Sequence, residues 1–212
     1  GRMLCQHTDG RCLVFCLCRN AMGSFVGYVS FLNGGVVPAM LPAELNPALF
    51  KALYETYRPK YVWAPADFEL EDGSCCRYER FGYRLLQTPY GDETRLAQEL
   101  ALLLTTSGST GSPKLVRQSY KNIRANTDSI VEYLHLLEDE RPITTLPMNY
   151  TYGLSIINSH LDVGATLLLT NQGIAQKAFW TFFRDQGATS FGGVPYTYEM
   201  LDRMRFFRMN LP

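Results

Sequence analysis

The sequence predicts an α/β fold of largely parallel β-sheets flanked by helices. Three observations carry this. Short apolar runs alternate with helix-length segments from Arg11 to Ala64, the pattern of parallel strands covered by helices. A further apolar run, Leu100 to Leu104, breaks directly into glycines and hydroxyls. The composition, 46% hydrophobic and 19% charged over 212 residues, is an ordinary globular mixture able to bury a sizeable core.

Each element has its own signal. Residues 11–18 read as a buried strand, with Cys12, Cys16 and Cys18 on one side as small core residues. Ala21 to Leu32 fits a helix packed on a sheet through Met22, Phe25, Val26 and Val29, and Asn33-Gly34-Gly35 stops it. Val36 to Met40 is the next strand. Asn46 caps and Pro47 opens a helix with Leu49, Leu53 and Tyr57 inward, and Tyr61 to Ala64 is a strand after Pro59. Residues 67–98 are polar and acidic around one short strand, Tyr83 to Leu86. They read as a connection between lobes at 1–66 and 99–212. Ser119 can cap a long helix whose buried stripe is Ile123, Thr127, Ile130, Val131, Leu134 and Leu137. His135 beside it reads as structural. A strand from Ile143 turns at Pro147 into a helix ending at Leu161, where His160 reads as satisfied structural polarity. Strands at 164–170 and 188–191 alternate with helices at 174–183 and 196–204.

The most informative stretch is Thr106-Ser107-Gly108-Ser109-Thr110-Gly111-Ser112-Pro113-Lys114. Gly108 and Gly111 allow positive φ and close approach of the backbone to a ligand. Successive amides in such a bend make an anion-binding concavity. The hydroxyls add donors, and Lys114 adds a full positive charge for a polyphosphate. A Walker loop is excluded by spacing: Pro113 stands five residues after Gly108, and Leu115 follows Lys114. The plain alternative is a solvated Ser/Gly turn between strands.

These nine residues resemble the phosphate-binding signature of the adenylate-forming superfamily, which holds acyl- and aryl-CoA synthetases, peptide-synthetase adenylation domains and luciferases. They fit Ser/Thr-Ser/Thr-Gly-Ser/Thr-Thr-Gly-x-Pro-Lys at every position, with Leu115 where a glycine is usual. The resemblance implies that residues 1–212 are the N-terminal portion of an AMP-binding domain. It implies ATP-dependent activation of a carboxylic acid as acyl-AMP, then transfer to a thiol, with ATP, Mg²⁺ and CoA or a carrier pantetheine as cofactors and partners. Thr106 and Lys114 would act at the reacting phosphates. Ser107, Gly108, Ser109, Thr110 and Gly111 would join them in holding the nucleotide.

A second stretch, Leu146-Pro147-Met148-Asn149-Tyr150-Thr151-Tyr152-Gly153, is similar to the family's Leu-Pro-x-Phe/Tyr-His-x-x-Gly element. By that resemblance Asn149 and Tyr150 border the acid substrate, with Asn149 where Phe and Tyr150 where His is common. Tyr150 can still stack and donate a hydrogen bond. Core aromatics at a strand–helix corner is the other reading. Gly193-Val194-Pro195 fits the family's Gly-Val-Pro turn and places Gly193 beside the same pocket. The family's later Tyr-Gly-x-Thr-Glu segment does not occur, so the chain reads as an N-terminal piece of a longer enzyme, inactive alone. The apolar character around Tyr150 and Gly193 suits an apolar acid, fatty or aryl.

The remaining numbers exclude classes. Twenty basic and twenty acidic residues leave a net charge of zero, with no basic excess for nucleic acid. No apolar stretch approaches the roughly 20 residues of a membrane helix. Six cysteines include no Cys-x2-Cys pair, and no metal site is expected. Unpaired core cysteines suit a reducing, cytoplasmic compartment. The alternative to a ligase is a non-catalytic binding or scaffold module with the same fold. Oligomeric state is left open.

Overall fold

The computed structural model describes residues 2–70, 72–91, 95–105 and 114–209. The chain divides into two units, Gly1–Asn122 and Ile123–Pro212. The boundary therefore falls inside a helix, not across a connection at 67–98.

In the first unit the elements are α1 (Arg2–Cys5), β1 (Leu13–Cys18), α2 (Met22–Asn33), β2 (Val37–Pro42), α3 (Pro47–Tyr57), β3 (Tyr61–Pro65), β4 (Cys75–Arg80), β5 (Tyr83–Gln87), β6 (Leu100–Thr105) and β7 (Leu115–Ser119). They build one seven-stranded sheet in the order β4-β5-β3-β1-β2-β6-β7. The central four strands are parallel, with β1 between β2 and β3 and β2 next to β6. β5 joins β3 and β7 joins β6 antiparallel, and β4 pairs antiparallel outside β5. All six residues of β1 are buried, as parallel strands covered on both faces require. Leu13, Phe15 and Leu17 meet Leu53 and Tyr54 of α3 in the core. Cys12, Cys16 and Cys18 are buried, as the alternation implies.

Two helices turn differently from their expected faces. α2 buries Gly23, Ser24, Gly27, Tyr28, Ser30 and Phe31, while Met22 is exposed. The cause is close packing on Trp63, whose indole N–H donates to the Gly23 carbonyl at 2.9 Å. A Cβ on Gly27 would stand 2.3 Å from the Trp63 Nε1. On α3, Asn46 Oδ1 accepts from the Ala48 and Leu49 amides at 2.9 and 3.3 Å. Leu49 is exposed, while Leu53 and Tyr54 face inward.

The segment expected as a connection contains a hairpin. β4 and β5 pair through a two-residue turn, Phe81-Gly82, with φ of 52° and 69°. Positive φ at both positions matches the right-handed twist of the flanking strands. A bulge lies between Cys76 and Tyr78 on β4, the outermost strand of this edge. The charged, exposed residues of β4 hide it from a reading by hydrophobicity. β7 was likewise not expected: it is short and half-exposed.

α4 (Tyr120–Leu134) leads into the second unit, followed by α5 (Thr151–Asp162), α6 (Lys177–Asp185), α7 (Pro195–Arg203) and a 3-10 turn at Phe206–Arg208. Ser119 caps α4: its Oγ accepts from the Asn122 amide at 3.1 Å, and the Asn122 side chain accepts from the Ser119 amide, a reciprocal cap. His135 ends the helix with φ of 51°. Of the expected stripe only Thr127 is buried; Leu134 and Leu137 are 55% and 63% exposed.

The core of this unit gathers Ile143, Leu168, Phe179, Trp180, Phe183, Ala188 and Leu201. The three strands expected at 143, 164–170 and 188–191 appear as single parallel bridges, Ile143 to Leu168 and Pro142 to Ser190. Side chains take over the ladder here. Thr144 Oγ1 donates to the Thr170 carbonyl and accepts from the Thr170 amide, at 3.1 and 2.9 Å. The Arg141 amide donates to Thr189 Oγ1 at 2.8 Å. Such bonds compete with regular pairing.

Candidate active site

The expected phosphate loop is framed by two strands. β6 runs parallel to β2 in the register Ala39 to Leu103 and Met40 to Leu104, and Thr105 pairs with Leu115 across to β7. β6 therefore ends, and β7 begins, at the carboxyl ends of the parallel strands, the edge where open α/β sheets take ligands. Thr106, Ser107, Gly108, Ser109, Thr110 and Gly111 lie outside the described residues. Lys114 is exposed. The Leu115 amide donates to the Tyr57 hydroxyl at 3.2 Å, tying the start of β7 to α3.

Over β1 to β3 the same edge is closed by charge. Arg19 reaches Glu44 at 2.9 Å through Nε and Asp67 at 3.1 Å through a terminal nitrogen. The Arg19 hydrogen bond holds the Asp67 carboxyl below the usual carboxylate range. At the opposite edge Arg11 donates to the Gly35 and Leu100 carbonyls at 2.7 and 2.6 Å. That contact fixes the start of β6. Among the described residues no three of His, Cys, Asp or Glu gather to hold a metal ion, so no ligand to Mg²⁺ is assigned.

The second unit carries a cavity of about 790 Å³. Its wall is mainly apolar: Ile130, Leu134 and Leu136, Tyr152 and Ile156 from α5, and Phe191. The Leu146–Met148 turn sets one end of α5. Leu146 and Met148 are buried, and the Tyr150 amide donates to the Pro147 carbonyl at 3.0 Å. Gly153 must be glycine there, since a Cβ would lie 2.3 Å from the Pro147 oxygen. Asn149 and Tyr150 precede α5, with Tyr150 47% exposed. The wall itself is formed by Tyr152 and Gly192, the near neighbours of Tyr150 and Gly193. Gly193 packs on Thr197 of α7, whose Oγ1 accepts from the Val194 amide at 3.2 Å.

His160 also lines this cavity and departs from its expected role. It is 5% exposed. Nδ1 lies 2.8 Å from the Ile156 carbonyl, while Nε2 is buried with no partner among the described residues. Nothing in the local sequence signals this. A histidine in the last turn of an amphipathic helix looks the same whether one ring nitrogen is satisfied or both.

With this geometry in hand, kinship is decided by one match: the AMP-binding enzyme family profile covers residues 66–211. The chain belongs to the AMP-binding enzyme family. An oxalate–CoA ligase of Arabidopsis thaliana is 31% identical over 106 residues, 49% of this chain and 21% of the relative. An acyl-CoA synthetase of Alternaria alternata is 23% identical over 237 residues, covering 90% of this chain and 41% of the relative. The o-succinylbenzoate CoA synthetase of Bacillus subtilis, solved with its acyl-adenylate intermediate, superposes with a TM-score of 0.72 at 20% identity. It covers 94% of this chain and 54% of that one. This likeness establishes that the chain shares that structure's α/β fold. The chain spans less than half the length of these curated relatives. No helix among its described residues is long and apolar enough to cross a membrane.

Proposed function

We propose that the chain carries the phosphate-binding loop and the acid pocket of an acid–thiol ligase, which activates a carboxylic acid with ATP and passes the acyl group to CoA or a carrier pantetheine. The observation that supports the reading is the position of the strands that flank the signature in sequence. β6 ends at Thr105 and β7 begins at Leu115 at the carboxyl edge of the parallel strands, the edge that takes ligands in open α/β sheets.

In this reading Lys114 and the backbone from Ser107 to Gly111 hold the β- and γ-phosphates, and Thr106 contacts the α-phosphate. The acid's carboxylate oxygen forms a bond to the α-phosphorus. The bond from that phosphorus to the bridging oxygen breaks, and pyrophosphate leaves with the electron pair. A thiolate then attacks the acyl carbon and AMP departs. The chain's share of the chemistry is positioning and charge neutralisation, which dominate phosphoryl and adenylyl transfer. Lys114, which makes no ion pair among the described residues, is available to meet the charge that develops on pyrophosphate. The cavity beside Tyr152 and Gly192 holds the acyl part, and its apolar wall fits an apolar chain or ring.

Acid-dependent exchange of labelled pyrophosphate into ATP, by a protein that contains this chain, tests the proposal. Exchange with at least one acid of a broad panel is expected. Lys114→Ala should lower it roughly ten- to hundredfold, the value of a charge-assisted hydrogen bond. No exchange with any acid would favour the scaffold alternative. Undiminished exchange in Lys114→Ala would remove that residue from the mechanism.

A further inference from the structure

Six polar side chains in the wall of the apolar cavity, four serines, Glu140 and His160, share one property. The hydroxyl proton of each serine is already engaged. Ser129 donates to the Ala125 carbonyl at 2.9 Å, Ser155 to the Tyr152 carbonyl at 2.8 Å, and Ser159 to the Ile156 carbonyl at 3.2 Å. Ser190 donates to Glu140 Oε2 at 3.3 Å, beside a second donation from Thr189 Oγ1 to the same oxygen. What these hydroxyls can still offer a ligand is lone pairs. Glu140 also lines the cavity, and an ionised carboxylate only accepts.

His160 completes the set. Because Nδ1 faces the Ile156 carbonyl at 2.8 Å, the proton of the neutral ring belongs on Nδ1. Ser159 Oγ, at 3.4 Å from the same nitrogen, does not change this, since its own proton goes to Ile156. Nε2 is then an acceptor, buried and unpartnered among the described residues. The remaining polar side chains of the wall are the phenols of Tyr133 and Tyr152, which are 83% and 40% exposed. A buried acceptor without a donor carries a desolvation cost that a matching ligand group removes.

We propose that the cavity selects an acid whose tail carries an uncharged or cationic hydrogen-bond donor, a hydroxyl or an ammonium group, and that His160 Nε2 and Glu140 recognise it. The inference rests on the reading of this cavity as the acid pocket. His160 stands eight residues after Tyr152 on α5, about 12 Å along the helix axis at the helical rise. With the carboxyl group at the Tyr150 end of α5, the donor belongs well away from it, and a second carboxylate there meets Glu140 and the lone pairs of the serines and His160, with only the phenols of Tyr133 and Tyr152 among the wall's side chains able to donate.

Calorimetric titration of the 212-residue chain with decanoic, ω-hydroxydecanoic, ω-aminodecanoic and decanedioic acids tests this. The hydroxy or the amino acid should bind about tenfold more tightly than decanoic acid, the value of roughly one buried hydrogen bond, and decanedioic acid should bind most weakly. The two donor arms separate hydroxyl from ammonium recognition. His160→Phe should bring the ratio of donor-bearing to plain acid close to one. Nitrogen NMR should show the Nε2 resonance moving with the donor-bearing acid and not with decanoic acid, a readout that survives if the variant does not fold. Plain acid binding as tightly as both donor-bearing acids, or diacid binding tightest, overturns the selection while leaving the acid pocket intact. Failure of every acid to bind overturns the pocket reading itself.

Discussion

Single atoms decide several features of this chain. Gly153 and Gly192 both exclude a Cβ at 2.3 Å, but the obstacle differs: the Pro147 carbonyl in the first case, the Ile156 Cδ1 in the second. Backbone oxygen cannot retreat without unseating α5, whereas a side-chain tip can rotate. Gly153→Ala should therefore cost about 1–3 kcal/mol, the usual range for overpacking. Gly192→Ala should cost less and narrow the cavity instead. Thermal melts of the two variants, read side by side, check the ranking. His160 shows the limit of sequence at this scale. Its residue type and helical position are plain in the sequence. Its lone pair is a product of which groups the fold leaves out of reach.

Among elements, legibility followed burial. β1, β2 and β3 are continuous apolar runs and were readable as strands. β4 alternates nothing and buries little, so its pairing with β5 emerges only from the turn at Phe81-Gly82 and from the partner strand. The inner face of α2 escapes a reading by hydrophobicity because Gly23 and Gly27, together with Phe31, pack on Trp63 and leave Met22 outside. The phosphate signature was legible as a motif, since its chemistry is local, and its supports β6 and β7 were half so. The contrast between β1 and β4 has a chemical readout. Cys75 and Cys76 are exposed thiols, while Cys12, Cys16 and Cys18 are buried. Under native conditions a water-soluble disulfide reagent should modify Cys75 and Cys76 quickly, with the β1-side thiols reacting only after denaturant is added. Mass mapping of the labelled peptides distinguishes the two sets.

For the molecule as a whole, the ionisable groups that respond to folding are concentrated in the first unit. Asp9 is held low by hydrogen bonds from Tyr61 and Lys60, and Asp67 by Arg19. Burial opposes ionisation of Asp72, but bonds from Ser74 and Tyr54 outweigh it. A carboxyl with a depressed value in the folded state adds stability above its unfolded value, and that stability is lost as pH falls through the folded value. The chain should accordingly weaken below about pH 4. At the other extreme, burial pushes Tyr61 and Tyr83 up to about 12. Their contribution is complete below about pH 10 and disappears as pH rises through about 12. Denaturant melts across pH, with tyrosinate absorbance on the alkaline side, follow both limbs. The irregularity between Cys76 and Tyr78 also acts on this scale. A straight outer strand would present an even row of amides and carbonyls to any neighbouring molecule. By bending that row, the extra residue leaves no continuous template for stacking one copy on the next, so the border of the sheet stays a border at high protein concentration.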